Sequence, residues 1–415
     1  MPSDNVTGGA SENGKFALRG LLQGHRDAVA AVAAHPFGMY VASGGKQGTL
    51  IWDLQTHELL ESPTRAANRG ATLAIAWITR PDDPDEGVAF GTAQGYLCVW
   101  KRTRGETNFR EVFCDELAGG VDGQEISAIA YDTKANQLAI VHRSEVIHRF
   151  VLDGQMRPTR VVSVKITAHY PQAVAFGHTG ALGPEIWSFG RDDVTSWMRG
   201  KIIKTKSTGV IIGHAAVNVN EDVFIVDDVV QGVALYKFSD TERIKTFPVP
   251  AGERRSRNVS FLSDASIIIT GSHHGRLYAF ERRTGDIYDV IDIGVEDWVQ
   301  SVTTVDIEGV SVVIAGRSGD NTGKTDLQVW ERVKRGASPD AEGKEGGNGG
   351  INCVQLICIS ALILFILRDV LGLPILDWIR KWIWETVENL QMEWRGGALE
   401  KPQVREVRAI VLRDM

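Results

Sequence analysis

The stretch Leu22-Gln-Gly-His-Arg-Asp-Ala-Val29, followed by HPFGMYVASGGKQGTLIWDL over residues 35–54, opens on a Gly-His pair, turns at Ser43-Gly44 and closes on Trp52-Asp53. Its second half is echoed by AFGTAQGYLCVWKR ending at Arg102, ITGSHHGRLYAFER ending at Arg282 and DLQVWER ending at Arg332. A unit that recurs every 40–50 residues or so marks a solenoid or a propeller, because one such unit cannot bury its apolar face alone.

Working outward from this phrase, one bulky aromatic closes a strand in each unit: Trp52, Trp100, Phe150, Trp197, Tyr236, Phe280 and Trp330. The intervals of 48, 50, 47, 39, 44 and 50 residues leave room for four short strands and their turns. Alternating or solidly apolar runs such as Tyr40–Gly44, Gly87–Gly91, Gln137–Val141, Glu185–Phe189, Val223–Val226, Ser266–Thr270 and Val310–Ala315 supply the inner strands. In the fourth unit, HTGALGPE is an atypical turn. The seventh unit ends at Val333 without a fourth strand, and Lys15–Leu22 precedes the Gly-His where one is needed. The expected fold is therefore all-β, a seven-bladed β-propeller over residues 15–333. The N-terminal strand closes it, since an open ring would expose two sheet edges.

These repeats resemble the WD-repeat family, most closely in the first unit. The resemblance implies a buried hydrogen-bond network of His, Ser or Thr, Asp and Trp in each full repeat. His25, Ser43 and Trp52 match those positions, whereas Lys46-Gln47 stand at the Asp position, and later repeats lack the Gly-His pair. The resemblance also implies a protein-interaction platform rather than any particular ligand.

The chain has 415 residues and a net charge of −7, so it carries no overall basic footprint for nucleic acid. Cys98, Cys114, Cys353 and Cys358 show no paired spacing, so neither a disulfide framework nor a metal site is expected, and no cofactor is implied. Residues 1–14 are polar and lack the apolar core of a signal peptide. Gly316–Thr325 (GRSGDNTGKT) ends in Gly-Lys-Thr, yet Ser318 replaces the first glycine of a P-loop and a strand follows where that motif needs a helix.

Turns between second and third strands and loops between blades open on one side of a propeller. Arg143, Arg191, Arg254, Arg255, His273, His274, Trp298 and Arg317 fall in such segments and are the expected partner-binding residues. Trp298 is either an interface anchor or part of the core. Phe280-Glu-Arg-Arg-Thr-Gly285 is similar to a phosphoinositide-binding Phe-Arg-Arg-Gly signature only in composition.

Residues 334–350 (KRGASPDAEGKEGGNGG) read as a flexible linker. Residues 351–367 (INCVQLICISALILFIL), including Ile351, Leu356, Leu362, Phe365 and Leu367, form an uncharged run. As a helix it would reach about 26 Å, enough for a thin internal membrane such as that of the endoplasmic reticulum. Beyond it, residues 368–415 carry Trp378 and Trp382 as interfacial anchors. Lys and Arg counts on the two flanks tie, so the missing signal peptide places the propeller in the cytosol. The expected function is a non-enzymatic, single-pass membrane-tethered scaffold for cytosolic or membrane-associated proteins, with the lipid bilayer as its second partner. No nucleic acid or small-molecule substrate is expected. A propeller-based NTPase or hydrolase, or a lipid-headgroup reader, is the alternative.

Overall fold

The computed structural model describes residues 14–333, except 64–68, 82, 118–123, 181–182, 251, 264, 295 and 320–324. The 334–350 linker, the 351–367 run with Ile351, Leu356, Leu362, Phe365 and Leu367, the tail with Trp378 and Trp382, residues 1–13 and Lys324 lie outside the described residues. No helix among the described residues is long and apolar enough to cross a membrane.

Strand β1 (Phe16–His25) leads into blade one, β2 (Ala31–Ala34), β3 (Tyr40–Gly45) and β4 (Gly48–Asp53). Blade two is β5 (Thr72–Arg80), β6 (Asp83–Thr92), β7 (Tyr96–Arg102) and β8 (Arg110–Glu116). Blade three is β9 (Ile126–Asp132), β10 (Gln137–His142), β11 (Val146–Leu152) and β12 (Pro158–Lys165). Blade four is β13 (Ala173–Gly180), β14 (Gly183–Phe189), β15 (Asp193–Met198) and β16 (Lys201–Ser207). Blade five is β17 (Ile212–Asn218), β18 (Val223–Asp228), β19 (Gly232–Lys237) and β20 (Arg243–Pro248). Blade six is β21 (Val259–Leu262), β22 (Ile267–Thr270), β23 (Arg276–Glu281) and β24 (Ile287–Asp292). The last sheet runs β1, β27 (Thr325–Arg332), β26 (Val310–Gly316), β25 (Ser301–Ile307), with Leu22 opposite Leu327 and Phe16 opposite Arg332.

The described residues thus form an all-β, seven-bladed propeller, and each of the seven aromatics read from the sequence lies on the third strand of its sheet. Second strands such as β3 and β18 are buried at every residue because blades pack on both of their faces. This is why they read as solid apolar runs rather than alternating ones. Outer strands such as β16 (KIIKTKS) are mostly exposed, and their lysines discourage edge-to-edge pairing.

Two details differ from the sequence reading. In blade four the strands either side of the atypical turn pair up to Gly180 opposite Gly183, with a register shift between Phe176 and Thr179. In blade one the expected fourth strand shrinks to a single bridge, Trp52 to Leu59, supported by Leu60 N–H donating to Ile51 O at 2.8 Å. Pro63 follows at once, and without an N–H it cannot extend a ladder.

The core is divided into apolar layers, one between each pair of neighbouring blades. Phe90 and Trp100 of blade two face Tyr40 and Ile51 of blade one. Trp187 and Phe189 of blade four face Phe224 and Tyr236 of blade five. The layer between the last sheet and blade one contains Leu22, Trp52, Val312 and Leu327. The glycines near the ends of second strands mark where the next blade's entry segment presses closest. A Cβ on Gly271 would lie 1.9 Å from the Val299 carbonyl oxygen, and one on Gly91 would lie 2.3 Å from the Ile126 side chain.

Leu22 is wholly buried. Leu22→Ala should therefore cost about 2–5 kcal/mol, as large-to-small core changes do. A chemical-denaturation midpoint within error of wild type would contradict this placement.

Candidate functional site

In each blade the strands alternate in direction, so second-to-third turns and blade-to-blade connections share one rim. Three of the predicted residues meet there. Arg143 follows β10, Arg191 precedes β15, and Arg254 lies between β20 and β21; all three line one depression of about 440 Å³, beside Tyr170 and Gln172. It shares Arg143, Gln172, Gly213 and Ser256 with a cavity of about 230 Å³ on the propeller axis, to which every blade's inner edge contributes. Arg143 pairs with Glu125. Among the described residues no hydrogen bond or ion pair engages the side chain of Arg191 or Arg254, and both are exposed. Tyr170 is 49% exposed at the same depression.

The other expected residues do not line that depression. Arg255 binds Glu253 at 2.6 Å and sits 5.1 Å over the Trp298 ring. Trp298 is half-buried, its Nε1–H donating to the Ser256 carbonyl at 3.2 Å, so it is held in a loop rather than sunk in the core. His274 shares a 2.8 Å hydrogen bond with the Tyr278 hydroxyl. His273 is half-buried with neither ring nitrogen partnered among the described residues, and burial pushes its pKa down to about 4. The Arg317 carbonyl accepts from Val29 N–H at 2.9 Å, tying the last sheet to the entry of blade one. Of the basic run from Glu253 to Arg257, only part is a surface. Arg257 is buried on Asp227, donating from Nε at 2.9 Å and from its backbone N–H at 2.8 Å, and reaches Asp228 O at 2.9 Å.

The network implied by the family resemblance is incomplete where the sequence suggests it and fuller where the sequence hides it. His25 Nε2 contacts Ser43 Oγ, but Trp52 Nε1 donates to the Gln23 carbonyl at 3.0 Å, and His25 Nδ1 has no partner. In blade four, His169 Nε2 meets Ser188 Oγ at 2.7 Å and His169 Nδ1 meets Asp193 at 2.8 Å. Ala168 stands in place of the glycine, with a positive φ of 61°. Asp193 lies five residues after Ser188, where the first repeat has Gly48 after Ser43. In the sequence the signal is Ala168-His169 with Ser188-Phe-Gly-Arg-Asp-Asp193, which lacks the glycine of the Gly-His pair.

These three groups have the connectivity of a Ser-His-Asp triad. Ser188 is 0% exposed and His169 1%, so no substrate can reach the hydroxyl in this conformation. Their effect is mechanical: they pin the connection before blade four to its second strand.

Cys98 and Cys114, whose spacing in the sequence suggests no pairing, are free cysteines that the hairpin brings together. Cys98 and Cys114 stand opposite each other across β7 and β8, and with Glu111 form a group of three that could hold a metal ion. No family model matches the chain, and no curated protein matches it.

Several buried histidines set an acid limit. Burial pushes His25 and His35 down to about 4 and His148 to about 3. In the unfolded chain they titrate near 6.5. Below that pH the unfolded state binds more protons, so their stabilisation is complete above about pH 6.5 and is lost as pH falls toward 4. Each contributes up to about 1.4 kcal/mol per pH unit across that window. The urea midpoint should drop steeply between pH 7 and 5; a flat profile would show these rings charged or exposed.

Proposed function

We propose that this chain is a binding platform, a propeller of WD-repeat type that captures a protein partner through an acidic segment laid across the axial depression. The observation that carries this reading is the meeting of Arg143, Arg191 and Arg254 from three separate loops around one depression. Two of their guanidinium groups have no partner among the described residues. Like charges gathered on rigid loops repel one another, and an incoming carboxylate segment relieves that repulsion. Tyr170 supplies an exposed aromatic surface beside them, the residue type that contributes most at interface centres. The buried Asp193–His169–Ser188 network supports the family assignment. The pairing of β1 with β27, together with the apolar layer between the last sheet and blade one, supports closure of the ring by the N-terminal strand.

In this reading residues 351–367 tether the propeller to an internal membrane, with the propeller on the cytosolic side and residues 334–350 as its leash. The uncharged run supports the tether. Tethering raises the effective concentration of the platform for partners on the same membrane. No catalytic step is assigned.

Proximity labelling from the full chain in intact cells, wild type against Arg191→Glu/Arg254→Glu, tests the site. A discrete set of neighbours should fall tenfold or more, equivalent to about 1.4 kcal/mol, while the melting temperature stays put because both side chains are exposed. An unchanged neighbour set from the folded double variant would move the site elsewhere. The tether has its own check. Alkaline carbonate should leave the full chain in the membrane fraction, and a chain ending at Val333 should be released; co-release of both would remove the tether.

A further inference from the structure

The hairpin of β7 and β8 carries a group that the platform reading leaves unused. Cys98 on β7 and Cys114 on β8 are partners in register, with their Sγ atoms 2.9 Å apart. Cys98 is fully buried and Cys114 half-buried. Arg69, in the connection from blade one, grips Glu111 with both arms, Nη1 to Oε2 at 2.5 Å and Nη2 to Oε1 at 3.1 Å. The same Nη1 lies 3.6 Å from Cys98 Sγ. Trp100 Nε1 also donates to Glu111, at 3.4 Å, and helps to fix the carboxylate.

We propose that Cys98 and Cys114 are a redox modification site that closes a reversible cross-strand disulfide when the chain meets a peroxide. The geometry assigns the two roles. Cys114 is the less buried of the two residues. It accepts from the Cys98 S–H and lies in the field of Arg69, and these hold its thiol below the ordinary value, while hydrogen bonding to Cys114 and burial hold Cys98 above it. Thiolate character with partial exposure is what directs oxidation to one cysteine rather than another.

The Cys114 thiolate attacks one oxygen of hydrogen peroxide. The O–O bond breaks, Cys114 becomes a sulfenic acid, and the departing hydroxide takes a proton to become water. Cys98 sulfur then attacks Cys114 sulfur; the S–O bond breaks and the Cys98 proton leaves with the hydroxide as a second water. Two thiols and one peroxide give one disulfide and two waters. A dithiol reductant reverses the change by exchange, becoming oxidised itself.

Metal binding fits the same atoms less well. Two thiolates on a tetrahedral zinc at about 2.3 Å stand about 3.8 Å apart, wider than the 2.9 Å seen here. The Arg69 guanidinium already supplies the positive charge beside Glu111 and Cys98, so an ion would have to displace it.

The test uses the purified full chain, fully reduced and then exposed to hydrogen peroxide, with remaining thiols alkylated before non-reducing digestion and mass spectrometry. The expected product is a peptide linking Cys98 to Cys114 that disappears on dithiothreitol treatment. With Cys98→Ser the link should vanish and Cys114 should advance to sulfinic and sulfonic acids. Arg69→Met should slow loss of the Cys114 thiol by about threefold to tenfold at pH 7 and leave the rate unchanged near pH 9.5, where the thiolate forms without help; a merely structural arginine would slow neither. If Cys98→Ser does not fold, the wild-type link decides the matter alone. Sulfonic acid at Cys114 of the wild type with no link would overturn the proposal. So would both thiols surviving peroxide that oxidises free cysteine, or one zinc per purified chain.

Discussion

Everything in this molecule depends on apolar layers that belong to no single blade. Tyr40, Phe90, Trp100, Phe189, Phe224 and Phe280 are each buried by the blade beside their own. A four-stranded sheet with both faces apolar has no stable existence alone, so each blade is folded only insofar as its neighbours are. The layer between the last sheet and blade one contains Leu22 of β1 together with Leu327 of β27 and Trp52 of β4. Loss of one layer therefore removes support from both adjoining blades, which is the cooperative counterpart of nearest-neighbour stacking in open repeat arrays.

Apolar layers fix the distance between blades but not the loops that cross them, and those are held by buried polar clamps. Each clamp ties a blade-to-blade connection to a neighbouring second strand or turn, with different chemistry each time. His169 does it through Ser188 and Asp193, and Arg257 through Asp227 and the Asp228 carbonyl. His142 Nδ1 meets the Gln124 carbonyl at 2.8 Å, and Ser318 Oγ donates to the Val29 carbonyl at 2.6 Å. A buried polar group left unpaired costs about 1–3 kcal/mol, so each clamp strongly selects the one loop position that satisfies it. The clamps thus hold the backbone of the rim loops, while the exposed side chains of Arg191 and Arg254 make no hydrogen bond or ion pair among the described residues.

The sequence made the blades legible because second strands, buried on both faces, leave solid apolar runs, and because one aromatic per unit keeps its place on the third strand. It also placed Arg143, Arg191 and Arg254 on a common rim, since strand alternation alone dictates which turns share a side. What it could not show was which rim residues turn inward. Arg254, Arg255 and Arg257 are neighbours in a charge run, yet one is exposed, one stacks on Trp298 and one is buried on Asp227. The difference is set by partners distant in sequence, Asp227 for Arg257 and Trp298 for Arg255. Blade four hides its network because Ala168 adopts the positive φ that usually identifies a glycine. The 16-residue spacing of Cys98 and Cys114 means nothing until hairpin register makes it a direct pair.

A chain of net charge −7 that displays a basic rim sets two electrostatic effects against each other. At physiological ionic strength charges farther apart than about 8 Å are largely screened. For the acidic segment proposed above, the overall negative charge would therefore repel it only weakly, and the rim would attract it only once contact is near. Long-range steering is small under these conditions, and association proceeds at the ordinary rates of patch docking. On the proposed reading, discrimination comes from how well carboxylates fit the arginines of the rim and from how slowly the fitted segment leaves. Clamped loops favour this over mobile ones, because a backbone already held in place loses less freedom on binding. The exposed side chains of Arg191 and Arg254, unpartnered among the described residues, are then what the bound segment has to order.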